Sequence, residues 1–586
     1  MSLTIALHNA LSGLQTNQAA LQVTSNNVAN ANTAGYTRKI VEQEHVVLDG
    51  QGAGVDLTAI RRHVDEFLVK ELRASAAGLA GMQVQDGFLQ RVQNMFGSPS
   101  SDASIGASIS RFATELAALA ASPETASQRL NVVAAGEALA QQLNAMSREL
   151  QQLRLEADQA IAAAASIVND QLSAIDELNG QIARGKALNQ PTADLEDLRD
   201  IALGKLAEQI DIRTFTRDTG EVVVFTNGGR VLLDQTFQPL SHTPVSSMTA
   251  GFAYPGVVTG IMSGGVDITA DLMSGRIAAL VELRDGTLPE LTAEISRLAQ
   301  TLRDEVNRVH NEGSGRPAPT TLTGSRAQSG TAASLTGTVR IALVNADGTQ
   351  AFTGVVAAPG TLDAAGFATQ INAVLAGFGV GASASATGGV VTINSGGTYG
   401  VVLSGGTITP AGGAPVTNLS DFLHLSDFFV GDDPTGADHA AVIAVRSDIV
   451  SNPHRISRGQ LRLDPVTGTY YLSAGDNTVI QKLAAKFNEQ LVFAAAGKLP
   501  QTGATLADYG AAILALASSD FASVSDQMAR KQALFDELDF RSRSISGVNM
   551  DEELANMVLL QNAYAASARI ITTAAEMFDV LTGMGR

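Results

Sequence analysis

The chain has 586 residues, enough for several domains with buried cores, and its lack of cysteine excludes disulfides, thiolate metal sites and cysteine nucleophiles together. Acidic residues outnumber basic ones 58 to 39, a formal charge of −19, and no Lys/Arg cluster interrupts them; this argues against nucleic acid as a partner, because phosphate binding needs concentrated positive charge. No run of about 18 apolar residues occurs, which argues against a membrane partner or span.

At the amino terminus Leu3, Leu7, Ala10, Leu14, Asn17, Leu21, Thr24 and Val28 recur at spacings of four and three, which predicts a helix with a heptad seam, about 39 Å long. Asn30, Asn32, Gly35 and Tyr36 bring turn chemistry and end it. The first 37 residues carry no Asp, Glu, Lys or Arg, and His8, Asn9, Ser12 and Gln15 interrupt the apolar positions where a secretory signal would be continuous. Export, if it occurs, is expected by a route without a cleaved signal peptide.

The pattern stays helical from Val64 to about Ile212, punctuated by Pro99, Pro123 and Pro191. Glu221 to Phe225 and Arg230 to Leu233, separated by Thr226-Asn227-Gly228-Gly229, predict a hairpin that opens a small β-rich region running to about Met273. Helical spacing returns between Ile277 and Val309, and Ser314 to Pro319 reads as a linker. Beyond it a Gly, Ser, Thr and Ala-rich stretch carries strand-like pieces at Val339 to Val344, Val390 to Ile393 and Tyr399 to Leu403, with a helix near Ala364 to Leu375. After about Gly475 helices resume to the end, where Met557, Leu560, Tyr564, Ser567, Ile571, Ala574, Phe578 and Leu581 repeat the heptad alternation.

The expected fold is therefore mainly α with β-rich inserted domains, nested and discontinuous, with both termini at one end. Residues 1–60 and 546–586 are expected to form paired coiled-coil-like terminal helices, and 61–211, 274–312 and 475–545 a helical core domain. Residues 212–273 are expected to form a small β-rich domain and 313–474 an inserted α+β outer domain. Each terminal helix is short for independent stability. The first offers no charged face to water, which favours burial inside an assembly over simple pairing of the two. Leu3, Leu7, Leu14, Leu21, Val28, Met557, Leu560, Tyr564, Ile571, Phe578 and Leu581 are the expected assembly interface.

Catalytic chemistry is missing from the pattern. The eight histidines are scattered, none at metal-pair spacing, and His63 and His310 read as packing or surface residues. Gly377-Phe378-Gly379-Val380-Gly381 lacks the helix start and lysine of a phosphate loop. Asp551, Glu552 and Glu553 stand where a helix begins, and acidic residues in a first turn stabilise the helix dipole by about 0.3–1 kcal/mol each. No catalytic, metal or cofactor-binding residue is expected, and the chain does not read as an enzyme.

Ser12-Gly13-Leu14, then Ser25-Asn26-Asn27-Val28-Ala29-Asn30-Ala31-Asn32-Thr33 and Gly35-Tyr36, resembles the signature shared by rod, hook and hook-associated proteins of the bacterial flagellum. Gly52 to Arg61, Asp65-Glu66-Phe67-Leu68 and Leu72-Arg73 are similar to the hook-associated members of that family. So are Ser546-Gly547-Val548-Asn549-Met550-Asp551-Glu552-Glu553 and Glu576-Met577-Phe578 at the other end. The resemblance implies terminal helices packed coaxially in a tube core, outer domains directed outward, and a ring of subunits at the hook–filament junction. It also implies the partners: further copies of this chain, the hook protein, a second junction protein (hook-associated protein 3), an export chaperone and the type III export apparatus. The implied location is extracellular, on the flagellum. Competing readings are the hook or another axial protein, or an adhesive or enzymatic surface on a flagellar-type anchor.

Overall fold

The apolar spacing of the first residues produces helix α1 (Leu3–Ala29). An Asn-rich turn then reverses the chain into a two-stranded antiparallel ribbon, β1 (Lys39–Leu48) and β2 (Gln51–Arg62), in which Lys39 lies opposite Arg62. The structure, a computed structural model, describes residues 3–48, 51–97, 103–328, 333–357, 360–410 and 418–584. The ribbon corrects the expectation that 1–60 holds only a terminal helix. Ile40, Val41, Val46, Val47, Val55 and Ile60 are β-branched, the residues a pleated surface favours.

Helix α2 (Glu66–Phe96) starts at Asp65, whose Oδ1 accepts the Phe67 and Leu68 backbone N–H groups at 2.9 and 3.2 Å. It runs against α12 (Leu506–Ser546): Ser518 donates to Gln93 Oε1 at 2.9 Å and Gly78 faces Lys531, so the two helices are antiparallel. Val84, Val92 and Phe96 of α2 and Leu506, Tyr509, Ile513 and Leu514 of α12 enter the core of the body.

The body is built on α4 (Ala126–Ala187), a 62-residue helix about 93 Å long, with α3 (Ile105–Ala121), α5 (Ala193–Gln209), α6 (Arg276–Glu282) and α7 (Leu288–His310) around it. Leu139, Leu143, Leu150, Leu153, Ile161, Val168, Leu172, Ile175 and Ile182 of α4 fall on one face, at spacings of three, four, seven or eight residues, and are fully buried. The three-stranded sheet β3 (Ile212–Thr216), β4 (Val222–Thr226) and β5 (Val231–Leu233) contains the foreseen hairpin. Its Val222, Val224 and Leu232, with Leu240, Ile261 and Ile268, enter the same apolar core as α4. Residues 212–273 are thus a layer of the body and not a domain with its own core, because strands of two to five residues are too short to enclose one.

The insertion does have its own core. A central strand, 333–344, is flanked by 350–356 and 361–362 on one side and by 400–410 on the other. Helices α8 (Ala364–Ala376) and α9 (Leu419–Phe422) and a second small sheet complete it around Val339, Ile341, Phe367, Ile371 and Ile393. That core reaches Leu425, and on the other face of the central sheet Leu461 and Leu472 pack against Ala342, Val344 and Val402, so the chain comes back to the insertion before the expected boundary at 474. Phe428 and Phe429 return to the body, their rings 5.6 and 5.7 Å from Phe112, and the segment through α10 (Ser447–Ser451) follows them. After α11 (Thr478–Lys486) an unforeseen hairpin, 491–493 with 502–504, leads into α12 and then α13 (Met550–Met584).

Candidate functional site

Helices α1 and α13 pack against each other and antiparallel: Asn27 bonds Glu553, and Gly13 faces Ser567. Of the expected heptad seam of α1, Ala10 and Thr24 are buried and the large side chains are only partly covered. Leu3, Leu7, Leu14, Leu21 and Val28 are half-buried, whereas the buried line is the small and polar set Ala10, Thr16, Ala20, Val23, Thr24 and Asn27. Small side chains let the helices approach closely, which moves the large ones to the flanks. On α13 the expected seam does face α1: Met557, Leu560, Ile571 and Phe578 are half-buried and Ala574 is buried, with Tyr564 at the margin and Leu581 exposed.

The rest of α13 is open and apolar. Leu554, Val558, Leu559, Ile570, Met577, Val580 and Met584 all lie exposed, Leu559 by 66% and Val580 by 61%. A solvated helix ordinarily turns charge outward here. Between Leu554 and Met584 the chain supplies only Arg569, Glu576 and Asp579.

The ribbon tip is fastened along α1 by the polar residues that interrupt its apolar pattern. His8 Nδ1 lies 3.2 Å from the Ala53 carbonyl, Asn9 Nδ2 donates to the Gly52 carbonyl at 3.4 Å, and Ser12 Oγ accepts the Val55 N–H at 3.2 Å. Gly54 has a φ of +109°, and a Cβ there would collide with Ser12.

At the base of the pair a buried polar node joins chain segments more than 500 residues apart. Asn27 Nδ2 donates to the Lys39 carbonyl at 2.9 Å and to Glu553 Oε2 at 3.1 Å. Its Oδ1 accepts the Lys39 N–H at 3.1 Å and the Tyr36 hydroxyl at 2.9 Å. Arg38 closes the ring, Nε to Glu553 at 2.8 Å and a terminal nitrogen to Glu552 at 2.7 Å, while its backbone N–H reaches the Ser546 carbonyl at 2.7 Å. Glu553, read from sequence as a helix-start residue, is 2% exposed, and that burial makes it an internal ion partner. Asp551 remains exposed in the same first turn.

A belt of acids on α5 continues the node. Lys39 Nζ lies 2.8 Å from both Asp194 and Asp197 and stands over the Tyr36 ring at 3.4 Å. Burial alone would depress its ammonium, but the two carboxylates outweigh burial and hold it above the ordinary lysine range. Arg62 bonds Asp197 and Asp200, and Arg73 bonds Asp200 at 2.6 Å. Burial opposes charge on Asp200 too, yet Arg73 and Arg62 hold it below the usual carboxylate range. Sequence reading passed over Asp194, Asp197 and Asp200, although their spacing of three puts them on one face of α5.

The remaining signature residues shape the turn. Asn30 Nδ2 donates to the Asn26 carbonyl at 3.0 Å and Thr33 Oγ1 to Asn30 Oδ1 at 3.2 Å, with Ser25 and Asn32 exposed beside them. Gly35 has a φ of +78°, and a Cβ would stand 2.5 Å from Ile201. Gly547 caps α12 through its N–H to the Arg543 carbonyl at 2.9 Å. Leu68 is half-buried and Phe67 is 83% exposed. Among the described residues no cluster of three metal-ligating side chains occurs, and no helix is long and apolar enough to cross a membrane. His310 is fully buried, accepts the Ser457 N–H at 2.8 Å and is pushed down by burial to about 4, which fits a packing residue.

Comparison with known proteins agrees with this geometry. The chain matches the family described as flagellar hook-associated protein FlgK helical domain over residues 89–321. It also matches the flagella basal body rod protein family over 7–37 and the flagellar basal body rod FlgEFG protein C-terminal family over 544–584. Flagellar hook-associated protein 1 of Escherichia coli (strain K12) is 25% identical, with 98% of each chain covered. The protein of that name from Bacillus subtilis (strain 168) is 23% identical over 99% of this chain and 98% of its own. The flagellar hook junction protein FlgK from Burkholderia pseudomallei aligns in structure with a TM-score of 0.48 and 17% identity, covering 81% of this chain and 100% of that one. The two ends and the helical middle thus match flagellar families, and the full-length relatives it resembles share the name flagellar hook-associated protein 1.

Proposed function

We propose that this chain is a structural subunit of the bacterial flagellum, forming a ring at the junction between hook and filament on which the filament is built. It works by assembly and not by catalysis. The observation that carries this reading is the open apolar face of α13, held on a pair whose base is locked by buried charge and hydrogen bonds. Covering such a face on assembly contributes roughly 1.5–3 kcal/mol per large side chain before ordering entropy is subtracted. The axial interface then includes the half-buried leucines of α1, the seam of α13 and, above all, Leu554, Val558, Leu559, Ile570, Met577 and Val580. Its occupants are neighbouring copies and the adjoining hook protein and hook-associated protein 3. Delivery is by the type III export apparatus, with a chaperone on the carboxyl-terminal helix, to an extracellular position on the flagellum.

Electron microscopy of cells lacking the gene, with flagellin assayed in the medium, tests the proposal. Bare hooks and leaked flagellin are expected. Missing hooks would move the protein down the axis, and normal filaments would refute the reading. Complementation with the Leu559→Asp/Val580→Asp double variant is expected to give an exported, folded monomer that does not join the hook.

A further inference from the structure

The hairpin Leu491–Phe493 with Thr502–Ala504 hands the chain from the body to α12, and its first strand lies against α7. At this joint Glu294 of α7 is wholly inaccessible to solvent. Its Oε1 accepts the Lys498 backbone N–H at 2.9 Å, and its Oε2 has no hydrogen-bond partner. Gly497, at a φ of +54°, lets the turn lie this close, because a Cβ there would stand 2.7 Å from Oε1. On α12 the Tyr509 hydroxyl is likewise buried without a partner, its ring stacked on Phe493 with centroids 3.9 Å apart.

The charged groups facing this carboxyl are Glu290 on α7, Lys498 on the turn and Asp520 on α12, and Arg297 of α7 faces the Tyr509 hydroxyl. The Lys498 ammonium is engaged by Asp520 at 2.6 Å and approaches Glu290 at 3.9 Å. Among the described residues no ion pair reaches Glu294. An ionised carboxylate out of water with one donor and an unpartnered oxygen is costly, whereas the neutral acid is not. We propose that Glu294 is a proton-operated joint: as the neutral acid it holds the hairpin and the root of α12 on α7, and when ionised it loosens them.

This inference does not depend on the assembly reading. Burial, only partly offset by the Lys498 N–H, pushes the carboxyl from 4.5 up to about 7. Below pH 4.5 folded and unfolded chains both carry the proton. Above it the unfolded chain releases a proton that the folded chain keeps, so the stability contributed by the neutral form is lost as pH rises through about 7. The expected weakening is on the order of 100-fold in the opening equilibrium.

The test is hydrogen exchange of the full chain across residues 491–514, corrected for intrinsic rates, between pH 5 and 8.5. The wild type should open progressively with pH, and Glu294→Gln should remove that dependence and protect the segment at pH 8. Glu290→Gln, which removes a nearby negative charge, should move the wild-type transition to higher retained protection at a given pH near 7. A Glu294→Gln variant with the same pH dependence, or one less protected or unfolded at every pH, would overturn the proposal. So would a wild-type segment whose protection does not change with pH.

Discussion

The body and the terminal helix pair draw on the same apolar residues and treat them in opposite ways. Along α4 every large side chain of the stripe is covered, because helices on several sides and two small sheets close over it. Along α13 the chain offers only α1 as a long partner, so one face is covered and another is left bare. An apolar stripe states that a surface will be covered; whether the cover comes from the same chain depends on how many partners that chain supplies.

The comparison breaks if substitutions in the two regions have similar effects. The largest loss is expected in the body: Phe112→Ala or Leu150→Ala should cost about 3–5 kcal/mol in urea unfolding, since both side chains are fully enclosed. An intermediate, local effect is expected at the node. Asn27→Leu strips partners from the Lys39 backbone and the Tyr36 hydroxyl, and should loosen the pair by about 2–3 kcal/mol while leaving body unfolding unchanged, read by hydrogen exchange in α1 and α13.

Acid sharpens the same contrast. Asp200 is held below its ordinary 3.8 by Arg73 and Arg62 against the opposing effect of burial, so the stability it contributes is present above 3.8 and is lost as pH falls below that value. Arg73→Ala brings the folded-state carboxyl back up and should shrink this acid-dependent loss without moving its onset, read by urea unfolding across the titration. The smallest effect belongs to the bare face: Leu559→Ser should change monomer stability by no more than about 0.5 kcal/mol while abolishing incorporation into the flagellum. A monomer that melts on this change would mean that the face is already occupied.

Spacing made both terminal helices, the hairpin at 222–233 and the helix of the insertion legible in the sequence. It also ranked Leu7 and Leu14 above Ala20 as contact residues, because periodicity weighs size and not the approach distance that Gly13 and Ala20 permit. His8, Asn9 and Ser12 read as interruptions; their function became visible only with the ribbon backbone beside them. Asp197 and Asp200 drew no notice in the sequence, because their partners Lys39, Arg62 and Arg73 arrive from distant segments. The excursion of the chain into the body within the insertion was not legible, because Phe428 and Phe429 belong by packing to the body and by composition to the stretch before them.

Helix α4 is also a ruler. Asn144 near one end fixes the Ala440 carbonyl and Asn179 near the other fixes the Val222 carbonyl, so the distance between those attachments is counted in helical turns. Removing seven residues between them would shorten the molecule by about 10 Å and rotate one end by only about 20°. Removing five would turn the ends about 140° apart and point half of the stripe into water. Length along this axis is therefore adjustable only in steps close to whole numbers of turns, such as about seven or eleven residues, which makes the span of the body a quantised dimension.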